Sequence, residues 1–187
     1  MAALTGDVPE LEGAVGVTGA SSAVQAAVAF YGPVDFLQMN TRMLPGACTS
    51  FNASFDLENC HDDPQSPESR LVGCPIQSCP ERAAVANPIR YASRNDPPLA
   101  ILHGQADRFV PHAQSVQLYE ALRAACADAA FTSVPNAGHD WYQVLDPANQ
   151  APSVARTSGC REQRTASAPN PSWDTIEEFI AESFERR

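Results

Sequence analysis

Two short stretches hold residue types that can move a proton together. The first is His103-Gly104-Gln105-Ala106-Asp107-Arg108-Phe109-Val110-Pro111, and the second is Asn136-Ala137-Gly138-His139-Asp140-Trp141. Each sits at the end of a run with strand character. An aspartate hydrogen-bonded to a histidine fixes the imidazole tautomer and stabilises the imidazolium formed when the ring takes a serine proton. Asp107 is therefore the candidate acid and His139 the candidate base. They stand 32 residues apart, room for one crossover helix and one strand. That spacing brings neighbouring strand ends together at the carboxyl edge of a sheet, where α/β folds place their sites. Singly, Asp107 competes with a loop-capping role and His139 with that of a satisfied turn histidine; the pairing favours chemistry.

The elements that must position this pair follow from short apolar runs and their breakers. Leu99-Ala100-Ile101-Leu102-His103 lies between Asp96-Pro97-Pro98 and Gly104. It is short and nearly all apolar, which predicts a parallel strand covered on both faces. Residues 24–31 and 130–134 also have strand character, stopping at Gly32-Pro33 and Pro135. Helices are expected over 80–86, with Pro and Glu in the first turn, and over 112–127, where Val116, Tyr119 and Leu122 recur at helical spacing. A third, 173–185, puts Trp173, Ile176, Phe179, Ile180 and Phe184 on one face behind a Ser172 cap. Strands alternating with helices predict an α/β fold with crossover helices.

Two stretches lack periodicity. Residues 37–78 read as a long ordered excursion, held by cysteines and forming one wall of a pocket; residues 146–171 read as a polar surface loop. The strand at 24–31 leaves an apolar edge that something must cover. Gly6-Asp7-Val8-Pro9 reads as a turn between Leu4 and Leu11, with no natural domain opening before it.

Composition narrows the partners. The formal charge is −10, and the 12 basic residues are scattered rather than clustered. Counterion release at phosphates needs clustered cations, so nucleic acid and anionic membrane surfaces are not expected partners. No apolar run is long enough for a membrane span, and the first residues do not read as a signal peptide. Six cysteines, an even set, favour disulfides and a secreted or periplasmic setting over reduced, buried thiols. Cys48 with Cys60 and Cys74 with Cys79 are the expected pairs, each within one loop.

Other candidates are weaker. His61-Asp62-Asp63 are adjacent and point in different directions, a poor metal site; neither metal nor cofactor is expected. His103 reads as packing beside the site, and His112 as a solvated residue opening a helix. Asn52-Ala53-Ser54 fits a glycosylation sequon. Ser21 and Ser22 could serve as nucleophile only if residues 24–31 were a helix. Since 32–98 offers no other strand, these serines are expected in the loop before it.

The stretches Phe30-Tyr31-Gly32-Pro33-Val34-Asp35-Phe36, Pro67-Glu68-Ser69-Arg70-Leu71, Asn87-Pro88-Ile89, Pro97-Pro98-Leu99, His103-Gly104-x-Ala106-Asp107-x-x-Val110-Pro111 and Gly138-His139 resemble the bacterial esterase/lipase, feruloyl-esterase-like branch of the α/β-hydrolases. The resemblance implies that Asp107 and His139 are the acid and base of a Ser-His-Asp triad. It implies a serine on a Gly-x-Ser-x-Gly elbow before the segment that begins this chain, and short-chain or aryl ester substrates. Gln105 departs from the family's usual acid, and Asp140-Trp141 from its usual Gly-Phe. The expected organisation is the C-terminal part of one α/β-hydrolase domain over 1–187, with a Cys-rich loop region at 38–79 and a C-terminal helix at 172–187. Such a chain is expected to pair with an N-terminal half or with itself. The alternative is a non-catalytic α/β module that binds a partner through its sheet edge.

Overall fold

The computed structural model describes residues 1–6, 8–149 and 151–185. Asp7, Gln150, Arg186 and Arg187, which fall in the expected opening turn, polar loop and last helix, lie outside the described residues. Five strands form one mixed sheet in the order β1-β2-β3-β4-β5: β1 Ala27–Phe30, β2 Leu99–Gly104, β3 Ala129–Val134, β4 Ser153–Ser158 and β5 Arg161–Thr165. β1, β2 and β3 run parallel; β4 is antiparallel to β3, and β5 is antiparallel to β4. The helices are α1 Met39–Arg42, α2 Ala47–Phe55, α3 Pro67–Val72, α4 Pro80–Val85, α5 Ala113–Ala124, α6 Trp141–Val144 and α7 Trp173–Glu185.

β1 is shorter than its apolar run. Its first residue, Ala27, is paired with Leu99. Upstream residues would face Pro98 and Pro97, which have no N–H to give to a ladder. The outer edge of β1 has no strand beside it among the described residues.

Alternation along β2 and β3 divides the core. Leu99, Ile101, Ala129 and Phe131 face Leu118, Tyr119 and Leu122 of α5, with Leu4 and Val34 in the same cluster. On the opposite face Leu102 and Val134 pack with Ala137 and Val144. Helix α5 ends early because Cys126, at φ 62°, turns the chain toward β3.

The expected loop at 146–171 is instead the hairpin β4–β5. Its turn is Gly159-Cys160, both at positive φ (52° and 69°), the geometry of a type I′ turn whose twist suits a hairpin. A disulfide from Cys160 to Cys126 ties that turn to the α5–β3 corner. Polar composition hides the hairpin because only Val154 and Thr157 of its strands are buried.

The excursion after β1 is ordered, built from α1 to α4 and clipped by the disulfides Cys48–Cys60 and Cys74–Cys79. It has its own core of Phe36, Met39, Ile76 and Ala83, which includes Val110 from the loop after β2. Asn52 staples it: its Oδ1 accepts from Cys60 N (2.7 Å) and its Nδ2 donates to the Glu58 carbonyl (3.0 Å). The sequon asparagine thus has a structural use at both ends.

Candidate active site

The loops after β2 and β3 are sewn together by backbone. Gln105 N donates to Val134 O (2.8 Å), and Ala106 N donates to Ala137 O (2.9 Å). Gly104 makes this approach possible, since a Cβ there would stand 2.1 Å from Ala137 O. From these joined loops Asp107 and His139 meet, with His139 Nδ1 2.8 Å from Asp107 Oδ2.

Asp107 is 1% exposed and has donors on both oxygens. Its Oδ1 accepts from Phe109 N and Val110 N, both at 2.8 Å. Its Oδ2 receives His139 and also lies 3.2 Å from His103 Nε2. Burial by itself would push the carboxyl pKa up. The hydrogen bonds from His103 and His139, the charge of His139 and the Val110 N–H together outweigh it and hold the group well below the usual carboxylate range. A buried carboxylate in this state fixes and stabilises an imidazolium without taking its proton.

The imidazole of His139 is 31% exposed. It lies between Tyr31, with ring centroids 4.2 Å apart, and Phe109 at 5.8 Å. Its Nε2 makes no hydrogen bond among the described residues, so with Nδ1 committed to Asp107 it is the nitrogen able to act as base. Tyr31 directly follows β1 at φ 39°, an uncommon conformation for a bulky side chain. Its corner is fastened to α5 by the buried Gln114, whose Oε1 accepts from Val34 N (2.8 Å) and Asp35 N (2.7 Å). Tyr31 falls in a stretch that carries the family resemblance, but the sequence assigns a role to neither it nor Gln114. Gln114 sits one residue before Ser115 on a helix otherwise read by its apolar spacing, and a lone glutamine there gives no signal.

Of the remaining histidines, His103 is fully buried and touches the acid directly. His112 departs from the expected solvated residue. Its Nε2 lies 2.8 Å from Ser133 Oγ and its ring packs near His103 and Phe131. Burial first, then the proximity of His103, lowers its pKa to about 4, so the ring is neutral at physiological pH. Ser133 Oγ also accepts from Gln105 Nε2 (2.8 Å), so Gln105 joins this polar seam rather than the acid–base pair.

A cleft of about 460 Å³ opens beside His139, walled by Phe51, Phe55, Phe109, Pro33 and Val110. Phe51 and Phe55 come from α2, so the Cys-rich excursion does form one wall. His61 and Glu68 also line it, with Nδ1 3.1 Å from Oε2 and the imidazole against Phe51. The two are at ion-pair distance, yet neither atom makes a hydrogen bond among the described residues. Asp62 accepts from Gln77 and Asp63 caps the N–H groups of Glu58, Asn59 and Gln65, so the adjacent triplet diverges. A larger groove of about 610 Å³ runs between the sheet and α7. Neither Asp107 nor His139 lines it, so the smaller cleft is the one relevant to chemistry.

Ser21 and Ser22 lie in an exposed loop before β1. Ser21 Oγ accepts from Ala23 N (3.2 Å), and Ser22 bonds Glu12. Among the described residues neither touches Asp107 or His139.

A profile of the BD-FAE family matches residues 1–122, and one of the Dienelactone hydrolase family matches 75–183. The chain is 32% identical over 143 residues to Esterase LipQ of Mycobacterium tuberculosis, covering 74% of this chain and 29% of that protein. It is 29% identical over 129 residues to Esterase LipC of the same organism, covering 63% and 32%. A solved structure described as a truncated form of a carbohydrate esterase from gut microbiota is similar with a TM-score of 0.60 and 32% identity, over 74% of this chain and 47% of that one. A bifunctional GH43-CE of Bacteroides eggerthii follows with a TM-score of 0.58 and 34% identity, over 74% and 17%. The chain therefore spans about a third of the length of the curated relatives it matches.

Proposed function

Because the chain belongs to the α/β-hydrolase esterases, matching the BD-FAE and Dienelactone hydrolase families, we propose that it carries the acid and base of a carboxylic ester hydrolase. The nucleophile in this reading is a serine outside residues 1–187, on a segment that pairs with the open edge of β1. The chain is then the C-terminal part of one hydrolase domain. Its three disulfides suit a secreted or periplasmic protein.

The supporting observation is the 2.8 Å contact between His139 Nδ1 and a buried, ionised Asp107. His139 Nε2 takes the serine proton as the hydroxyl attacks the ester carbonyl. The same nitrogen then protonates the leaving alcohol, and water repeats the sequence to release the acid. Backbone N–H groups of the serine-bearing segment supply the oxyanion hole. The phenyl walls of the cleft suit small esters with a short acyl or aryl group. Similarity to carbohydrate esterases adds esters of sugar alcohols to the substrates worth testing.

The test is labelling with a fluorophosphonate, read by peptide mass, on the full-length protein. A single adduct on a serine outside 1–187, lost in His139→Ala, is expected. An adduct on Ser21 or Ser22, or one indifferent to His139, would overturn the assignment. No adduct at all would favour a non-catalytic module that binds a partner at the β1 edge.

A further inference from the structure

We propose that His103 is a positioning residue for the acid–base pair, locking the Asp107 carboxylate so that Oδ2 stays on His139. The proposal rests on the hydrolase reading only for its consequence in turnover; the geometry stands apart from it.

Oδ1 of Asp107 is occupied by two backbone N–H groups, which leaves rotation of the carboxylate to be settled at Oδ2. Two imidazoles meet there, His139 Nδ1 at 2.8 Å and His103 Nε2 at 3.2 Å. His103 Nε2 also lies 3.1 Å from the carbonyl of Val110. Both neighbours of this nitrogen are acceptors, so it carries the proton, which bonds the Val110 carbonyl and stands within ion-pair distance of Oδ2. In the neutral ring Nδ1 is then an acceptor. Ser115 of α5, with Oγ at 2.7 Å, donates to it. The hydroxyl fixes the tautomer, the tautomer fixes the donor, and the donor fixes the carboxylate.

His103 is 0% exposed, so no water stands ready to replace its N–H. Val110 closes the arrangement: its N–H holds Oδ1 and its carbonyl holds His103. The neighbouring His112, 5.3 Å away between ring centroids, is kept neutral and brings no positive charge to this seam. A residue placed only for packing would need no such set of partners.

The test uses two substitutions and two readouts. His103→Leu removes the donor, whereas His103→Gln keeps an N–H near the place of Nε2. In this chain, the slowly exchanging His139 Nδ1–H proton seen by NMR is expected in the wild type and in His103→Gln, and broadened or lost in His103→Leu. In the full-length protein, kcat on an aryl acetate should fall roughly 10–100-fold in His103→Leu, the scale for groups that orient a functional ligand. KM should be unchanged and His103→Gln should recover most of the rate. Unchanged resonance and unchanged kcat in a folded His103→Leu would overturn the proposal, as would equal losses in both variants. Should His103→Leu fail to fold, Ser115→Ala carries the test: a weakened His139 resonance supports the proposal and a wild-type one overturns it. The NMR pattern without any ester hydrolysis by the wild type would uphold the positioning role and count against the hydrolase reading instead.

Discussion

Gly104 of β2 lies against the carbonyl of Ala137, so close that a Cβ would come within 2.1 Å of that oxygen. The obstacle is backbone from the loop that presents His139, not a side chain able to swing aside. Gly104→Ala must therefore separate the two loops or distort both. It is expected to lower stability by about 3 kcal/mol or more, read by urea denaturation, and to break the Ala106–Ala137 hydrogen bond. A variant as stable as the wild type would show that the loops are not held by this approach.

Acid should unfold the protein in two stages. His112 has a folded-state pKa lowered from 6.5 to about 4 by burial, so as pH falls below 6.5 the unfolded chain binds a proton that the folded chain refuses. Its contribution is complete above pH 6.5 and declines until about 4, by at most about 3 kcal/mol. Asp107, lowered from 3.8 by hydrogen bonds that outweigh burial, acts in the window below. Its contribution is complete above the carboxylate range and is lost as pH falls through the depressed folded value. In His112→Gln the loss between pH 6.5 and 4 should flatten while the lower stage persists. Denaturation midpoints measured across pH would reveal a first stage that survives the substitution, and that would remove His112 as its source.

The disulfide between Cys126 and Cys160 closes a loop of sequence separation 34. Chain-entropy arguments put its worth at about 3–4 kcal/mol. Its two ends join the α5–β3 corner to the turn of the β4–β5 hairpin. Cys126→Ser with Cys160→Ser should cost stability on that scale and raise amide exchange in β5 first, since all but one of its residues are exposed. Uniform protection across the hairpin in the double variant would contradict that order.

What the sequence made legible is the part governed by local pattern. β2 and β3 are short apolar runs between breakers, and the loops that follow them hold Asp107 and His139 in register. The hairpin at 153–165 was illegible because its partners are distant. Arg164 reaches Glu120 on α5, and Cys160 reaches Cys126. No alternation of apolar residues marks strands whose faces are mostly wet. His112 reads as solvated for a related reason. Its helix face is apparent from spacing, but the Phe131 and Ser133 side chains that cover it come from another strand. The cleft was legible only as an expectation that the Cys-rich excursion forms a wall; that Phe51 and Phe55 meet Phe109 across it depends on tertiary packing.

The phenyl wall carries its own expectation. Phe51 lies 6.0 Å from Phe109 between centroids and is 3% exposed, so Phe51→Ala opens the cleft beside His139. In the full-length protein KM for aryl esters should rise about tenfold, while acetate esters of small alcohols change little. That matches the loss of roughly 1.4 kcal/mol of apolar contact. Equal effects on both substrate classes would place the aryl group elsewhere.

The pairing of Asp107 with His139 is the claim on which the rest depends, and Asp107→Asn in the full-length protein tests it most directly. The amide keeps the shape of the carboxylate but cannot hold the imidazole in the working tautomer or stabilise its positive charge. Turnover of a short-chain aryl ester should fall roughly 10⁴-fold with the fold intact. A rate within a few-fold of the wild type would contradict the account.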